Sequence, residues 1–69
     1  MHVYQNAIEM IGRTPMLRLN RLDTGPCELY LKLEYMNPGG SIKDRIGLSM
    51  IEQAEARGDL KPGDTIVEA

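Results

Sequence analysis

From Glu28 to Glu34 the chain alternates cleanly: Leu29, Leu31 and Leu33 point one way, and Glu28, Tyr30, Lys32 and Glu34 the other. A period of two predicts a half-buried strand. Met16 to Leu22 predicts a second strand, with Leu17, Leu19 and Arg21 on one face. Asp23-Thr24-Gly25-Pro26 reads as a turn between them, so the pair predicts an antiparallel hairpin. Downstream the period changes. From about Ile42 to Arg57, Gly47, Met50, Ile51 and Ala54 fall at i, i+3, i+4 and i+7, while Glu52, Gln53, Glu55 and Arg57 cover the other side. That spacing predicts a helix, stopped by Gly58 with Pro62 shortly after. Met50 at helical spacing is expected to pack in a core. Ahead of the hairpin, Asn6 is placed to cap a short helical turn through Ala7, Ile8, Met10 and Ile11, which Gly12 ends. After a turn at Gly63-Asp64, the β-branched run from Thr65 to Ala69 predicts a further strand. The order β-β-α-β opens an α/β domain rather than completing one. A last strand with nothing to cover its edge adds to the expectation of an N-terminal piece of a longer protein.

Composition narrows the chemistry. A domain of 69 residues buries only about 60% of the surface its unfolded chain exposes. Trp and Phe are absent, and Tyr4, Tyr30 and Tyr35 are the aromatic residues. One cysteine, Cys27, excludes an intramolecular disulfide or a multi-cysteine zinc site within these residues. Cys27 follows Gly25-Pro26 without a neighbouring base or cation to activate a thiol, which leaves it a structural or incidental role. The single histidine, His2, lies at the terminus, so no histidine triad or histidine metal cluster is expected, and no metal site at all. Net charge is -2 with dispersed basic residues, unlike the basic stripe of a nucleic-acid binder. No apolar run approaches the ~18 residues of a membrane span. The opening residues lack the basic and apolar regions of a signal peptide. A cytoplasmic setting, with no membrane partner, is the expectation.

Candidate chemistry concentrates in Asn37-Pro38-Gly39-Gly40-Ser41-Ile42-Lys43-Asp44-Arg45. Asn37 before a proline is pushed out of the helical region, and Pro38-Gly39-Gly40 supplies the dihedrals of a tight turn. Ser41 reads as an N-cap, and Ser41-x-x-Asp44 has the spacing of a capping box with Asp in place of Glu. Lys43 then falls in the first helical turn, where the macrodipole disfavours a cation and so favours the neutral amine needed for Schiff-base chemistry. Most lysines are solvated surface residues, and local physics alone leaves that reading standing. A phosphate loop does not fit, since no glycine precedes Lys43 and no Ser or Thr follows it.

The wider pattern carries a resemblance. Ile11-Gly12-Arg13-Thr14-Pro15-Met16-Leu17-Arg18-Leu19 is similar to the I-G-x-T-P-L-x-x-L opening of the cysteine synthase and cystathionine β-synthase family. Leu33-Glu34 followed by Asn37 to Arg45 resembles that family's cofactor-lysine motif. Met50-Ile51, Ala54-Glu55, Gly58, Leu60-Lys61-Pro62-Gly63 and Ile66-Val67-Glu68 resemble its continuation. The likeness runs from about Ile8 to Ala69 without gaps. Arg13 stands where the family commonly has Asn.

The resemblance implies a pyridoxal 5'-phosphate enzyme of the type II fold, an α/β architecture of which this chain would hold the hairpin, one helix and the first strand of a parallel sheet. Lys43 would be both the cofactor-binding Schiff-base lysine and the catalytic general base. The reaction implied is β-replacement of serine or an O-activated serine by a sulfur nucleophile. Sulfide would give cysteine, and homocysteine would give cystathionine. Tyr35-Met36 and Gly39-Gly40-Ser41 suit either acceptor, while Ile11-Gly12 and Leu60 to Gly63 fit these synthases better than a serine or threonine dehydratase. Residues 1–35 would pair with a second domain, and residues 36–69 would begin the smaller cofactor-binding domain. The family's S-G-N-T-G loop, its phosphate loop and the group facing the pyridine nitrogen would all lie beyond Ala69. The 69 residues alone are therefore expected to be inactive, and the full-length protein to be a homodimer. A non-enzyme alternative is a truncated piece that acts only by pairing with other chains.

Overall fold

The computed structural model describes residues 2–68. Asn6 Oδ1 accepts the Glu9 N–H at 3.1 Å across a single 3-10 turn at Ile8–Met10, whose cap position is taken by Ala7 without a side-chain bond of its own. Strands β1 (Met16–Arg18) and β2 (Tyr30–Lys32) form an antiparallel pair with Met16 opposite Lys32, Leu17 opposite Leu31 and Arg18 opposite Tyr30. A second 3-10 turn spans Glu34–Met36 and leads into helix α1 (Lys43–Arg57). Gly58 closes α1 in the left-handed conformation, its N–H reaching the Ala54 and Glu55 carbonyls. No helix among the described residues is long and apolar enough to cross a membrane.

The hairpin and the helix occur where periodicity places them, with shorter strands. The expected burial does not occur. No hydrophobic side chain is buried among the described residues. Leu31 is 43% exposed and Met50 62% exposed, so the alternating face of β2 is not half-buried and Met50 packs in no core. The cause is geometric: among the described residues, the extensive contact between elements is the pairing of β1 with β2, and no layer packs over the hairpin or α1. The accessible surface is 6219 Å², whereas a compact protein of 7.7 kDa has about 4300 Å². The radius of gyration is 17.1 Å, against about 11 Å for a compact chain of this length.

Two local expectations are corrected. Residues 65–68 of the expected last strand form no strand, because a strand exists through its ladder and these residues have no partner here; Ala69 lies outside the described residues. The capping box is also displaced. Ile42 already has helical dihedrals, and it occupies the cap position without a side-chain bond. Ser41 Oγ accepts the Lys43 N–H at 3.1 Å, and the Asp44 carboxylate reaches past Ser41 to the Gly39 N–H at 2.6 Å. The glycine turn folds back beneath the helix start and presents that N–H in place of Ser41's.

Candidate functional site

Two structures meet at the start of α1: a polar cluster on one side and an apolar groove on the other. Gly40, with φ of +91°, turns the chain, and its N–H bonds the Asn37 carbonyl at 2.9 Å. A Cβ at Gly39 would collide with the Asp44 carboxylate, so any other residue there would push that side chain off the Gly39 N–H. The turn delivers the chain into α1 with Lys43 as its first residue.

The cluster is built around Arg45 and Glu34. Arg45 Nε donates to Glu34 Oε1 at 2.6 Å and Arg45 Nη2 to Glu34 Oε2 at 3.0 Å, a two-pronged pair that fixes the guanidinium plane. Arg45 Nη2 also reaches the Gly12 carbonyl at 3.2 Å and Thr14 Oγ1 at 3.3 Å. Thr14 Oγ1 donates to Glu34 Oε2 at 2.6 Å. Asn37, 4% exposed and the one buried residue among those described, locks the arrangement from behind. Its Oδ1 accepts the Gly12 N–H at 2.8 Å, and its Nδ2 donates to the Glu34 carbonyl at 2.9 Å and to Glu34 Oε1 at 3.2 Å. Gly12 has φ of +84°, and a Cβ on it would sit 2.8 Å from Arg45 Nη1.

These contacts set the charge state of the pair. Hydrogen bonds from Arg45 first, then Thr14 and Asn37, hold the Glu34 carboxyl at about 2 against an ordinary 4.5, with partial burial opposing them. The same bond to Glu34 raises the Arg45 pKa. Because the folded Glu34 value lies below the unfolded one, the cluster's contribution to stability is complete above about 4.5. It is lost as pH falls toward 2. A carbon NMR titration of the Glu34 carboxyl in the full-length protein is expected to show a midpoint near 2; a midpoint near 4.5 would mean that the cluster is open in solution.

Lys43 lies on the other side. At 100° per residue it heads the stripe of Ile46, Gly47 and Met50, and with these it lines an open groove of about 740 Å³. Ile51, Ala54 and Leu60 continue the groove wall, and Ile66 and Val67 return along it. Asp59 and Glu68 also border it. Sequence reasoning put the helical stripe at Gly47, Met50, Ile51 and Ala54 but did not extend it back to Lys43, although i−4 from Gly47 is the available signal. It also missed Glu34, Arg45, Thr14 and Asn37 as a physical unit.

A family model described as pyridoxal-phosphate dependent enzyme matches residues 8–69. The chain belongs to that family. It is 58% identical over 64 residues to a cysteine synthase of Staphylococcus aureus (strain Mu50 / ATCC 700699), covering 91% of this chain and 21% of that protein. It is 52% identical over 69 residues to the cystathionine beta-synthase of Rattus norvegicus, covering 96% of this chain and 12% of that protein. The crystal structure of an O-ureido-L-serine synthase superposes with a TM-score of 0.78 at 48% identity, covering 91% of this chain and 20% of that one. The fold is therefore part of the α/β type II architecture of pyridoxal-phosphate enzymes, and the chain spans about a fifth or less of the length of these relatives. The cysteine synthase-like branch of the family is the one it resembles.

Proposed function

We propose that the full-length protein carrying this segment replaces the β-substituent of serine, or of an O-activated serine, with sulfide to form cysteine. The observation that carries the reading is the 58% identity to a cysteine synthase across nine-tenths of the chain. Cystathionine formation from homocysteine is the second reading, favoured by the 52% identity to a cystathionine beta-synthase.

Lys43 is the residue assigned to the chemistry. Its side chain heads an apolar groove, which supplies the amine that condenses with a carbonyl and a wall on which a planar ring can rest. The remaining charged residues bordering that groove, Asp59 and Glu68, are anionic and would repel a phosphate, so the phosphate is assigned to residues outside this chain. When bound, the cofactor supplies an electron sink for the substrate's α-carbon. Lys43 would hold it covalently through Nζ, and once the substrate amine had freed that Nζ it would take the α-proton and later return it.

The rest of the reading follows the same division. Residues 1–35 dock against a second domain, residues 36–69 begin the smaller cofactor-binding domain, and the protein is a cytoplasmic homodimer. The 69-residue chain by itself does not turn over. To test the assignment, the full-length protein is treated with pyridoxal phosphate, reduced with borohydride and mapped by mass spectrometry. Label is expected on Lys43; label on Lys32 or Lys61 instead would overturn it. Supplying sulfide and homocysteine in parallel then separates the two reactions.

A further inference from the structure

We propose that the Glu34–Arg45 pair is a positioning device for Lys43, setting the rotation of α1 so that the lysine amine faces the groove. The inference rests on the reading of Lys43 as the cofactor-bearing lysine and adds residues that do not touch the cofactor groove.

The geometry has three parts. Lys43 and Arg45 are two positions apart on one helix, about 200° around its axis. Holding Arg45 in the polar cluster therefore turns Lys43 to the opposite side, where Ile46, Gly47 and Met50 lie. Second, Arg45 is the tether. Among the described residues its bonds to Gly12, Thr14 and Glu34 are the side-chain links between α1 and the chain before the glycine turn. The other side-chain bonds within α1 and its N-terminal turn are local, Ser41 to Lys43, Asp44 to Gly39 and Gln53 to Ser49. Third, the tether resists twisting. Two parallel bonds to one carboxylate define a plane, which a single ammonium cannot do. Asn37 and Thr14 in turn hold the carboxylate, and the Leu33 N–H bond to the Pro15 carbonyl at 3.0 Å ties together the two segments that supply it.

A helix freed from this tether can rotate or slide by an ångström, and misplacements of that size cost up to about 100-fold in rate. The experiment uses the full-length protein with Glu34→Gln, Arg45→Lys and Thr14→Val. Two quantities are measured besides turnover: the rate at which added pyridoxal phosphate becomes trappable by borohydride on Lys43, and the pH midpoint of the visible absorption of the lysine–cofactor linkage. Folded Glu34→Gln and Arg45→Lys proteins are expected to trap label at Lys43 about 10-fold more slowly, with a displaced midpoint and a fall in kcat exceeding any rise in KM. Thr14→Val removes one hydroxyl and keeps the ion pair, so a smaller slowing in the same direction is expected. If the first two variants do not fold, Thr14→Val decides. Folded variants with unchanged trapping rate and midpoint would overturn the positioning role while leaving Lys43 assigned. Label on another lysine in the unsubstituted protein would overturn both.

Discussion

Lys43→Ala in the full-length protein is expected to abolish turnover, by 10³-fold or more, without unfolding the protein. The size follows from losing two functions at one atom. A positioned general base is worth about 10²–10⁴-fold by itself, and the same Nζ is assigned the covalent hold on the cofactor. Stability is expected to change little, because the Lys43 side chain makes no hydrogen bond or ion pair among the described residues, and its backbone N–H bond to Ser41 survives the substitution. Lys43→Arg is expected to be as inactive as the alanine variant, since a guanidinium stays protonated and neither condenses with a carbonyl nor accepts a proton. Added methylamine is expected to return a small part of the activity of Lys43→Ala by supplying a free amine. Turnover of Lys43→Ala within about tenfold of the parent would remove Lys43 from the mechanism. A melting curve beside the assay separates loss of chemistry from loss of fold.

The second large effect concerns the 69 residues in isolation. They are expected to show no cooperative thermal transition by circular dichroism, and no turnover of an activated serine with sulfide. Cooperativity needs a shared core, and no large apolar side chain among the described residues is buried. The surface of 6219 Å² is about 56% of that of an unfolded chain of this mass, so about 44% is buried where a folded domain of this size buries about 60%. Helix α1, 15 residues long, is at the margin of stability for an isolated helix in water. A gradual, non-sigmoidal loss of helical signal is the expected trace. A sharp sigmoid that urea displaces linearly would show a core that the structure does not contain.

Much of this architecture was legible in the sequence because it depends on local signals. Asn6, the alternation through Leu29, Leu31 and Leu33, and the run from Ile42 to Gly58 each specify an element without reference to distant residues. What failed was non-local. The burial of β2 and of Met50 depends on a covering layer, and the strand at Thr65 depends on a neighbour; periodicity reports that a face is apolar, not that anything lies over it. The capping box at Ser41 was displaced for a related reason, since Asp44 chose between two N–H groups and the turn geometry decided. The polar cluster was illegible because its members lie as far as 33 residues apart. Gly12-Arg13-Thr14-Pro15 and Lys43-Asp44-Arg45 were recognisable as two motifs, but no rule of spacing says that the glycine of one receives the arginine of the other.

That contact constrains how the sequence can drift. Any side chain at position 12 must displace the Arg45 guanidinium, and any shorter residue at position 45 leaves the Gly12 carbonyl, the Thr14 hydroxyl and the Glu34 carboxylate without their shared donor. The two stretches are thus expected to change together or not at all. A segment exchanged between distant relatives with a boundary falling between Gly12 and Arg45 would inherit half of a fitted pair.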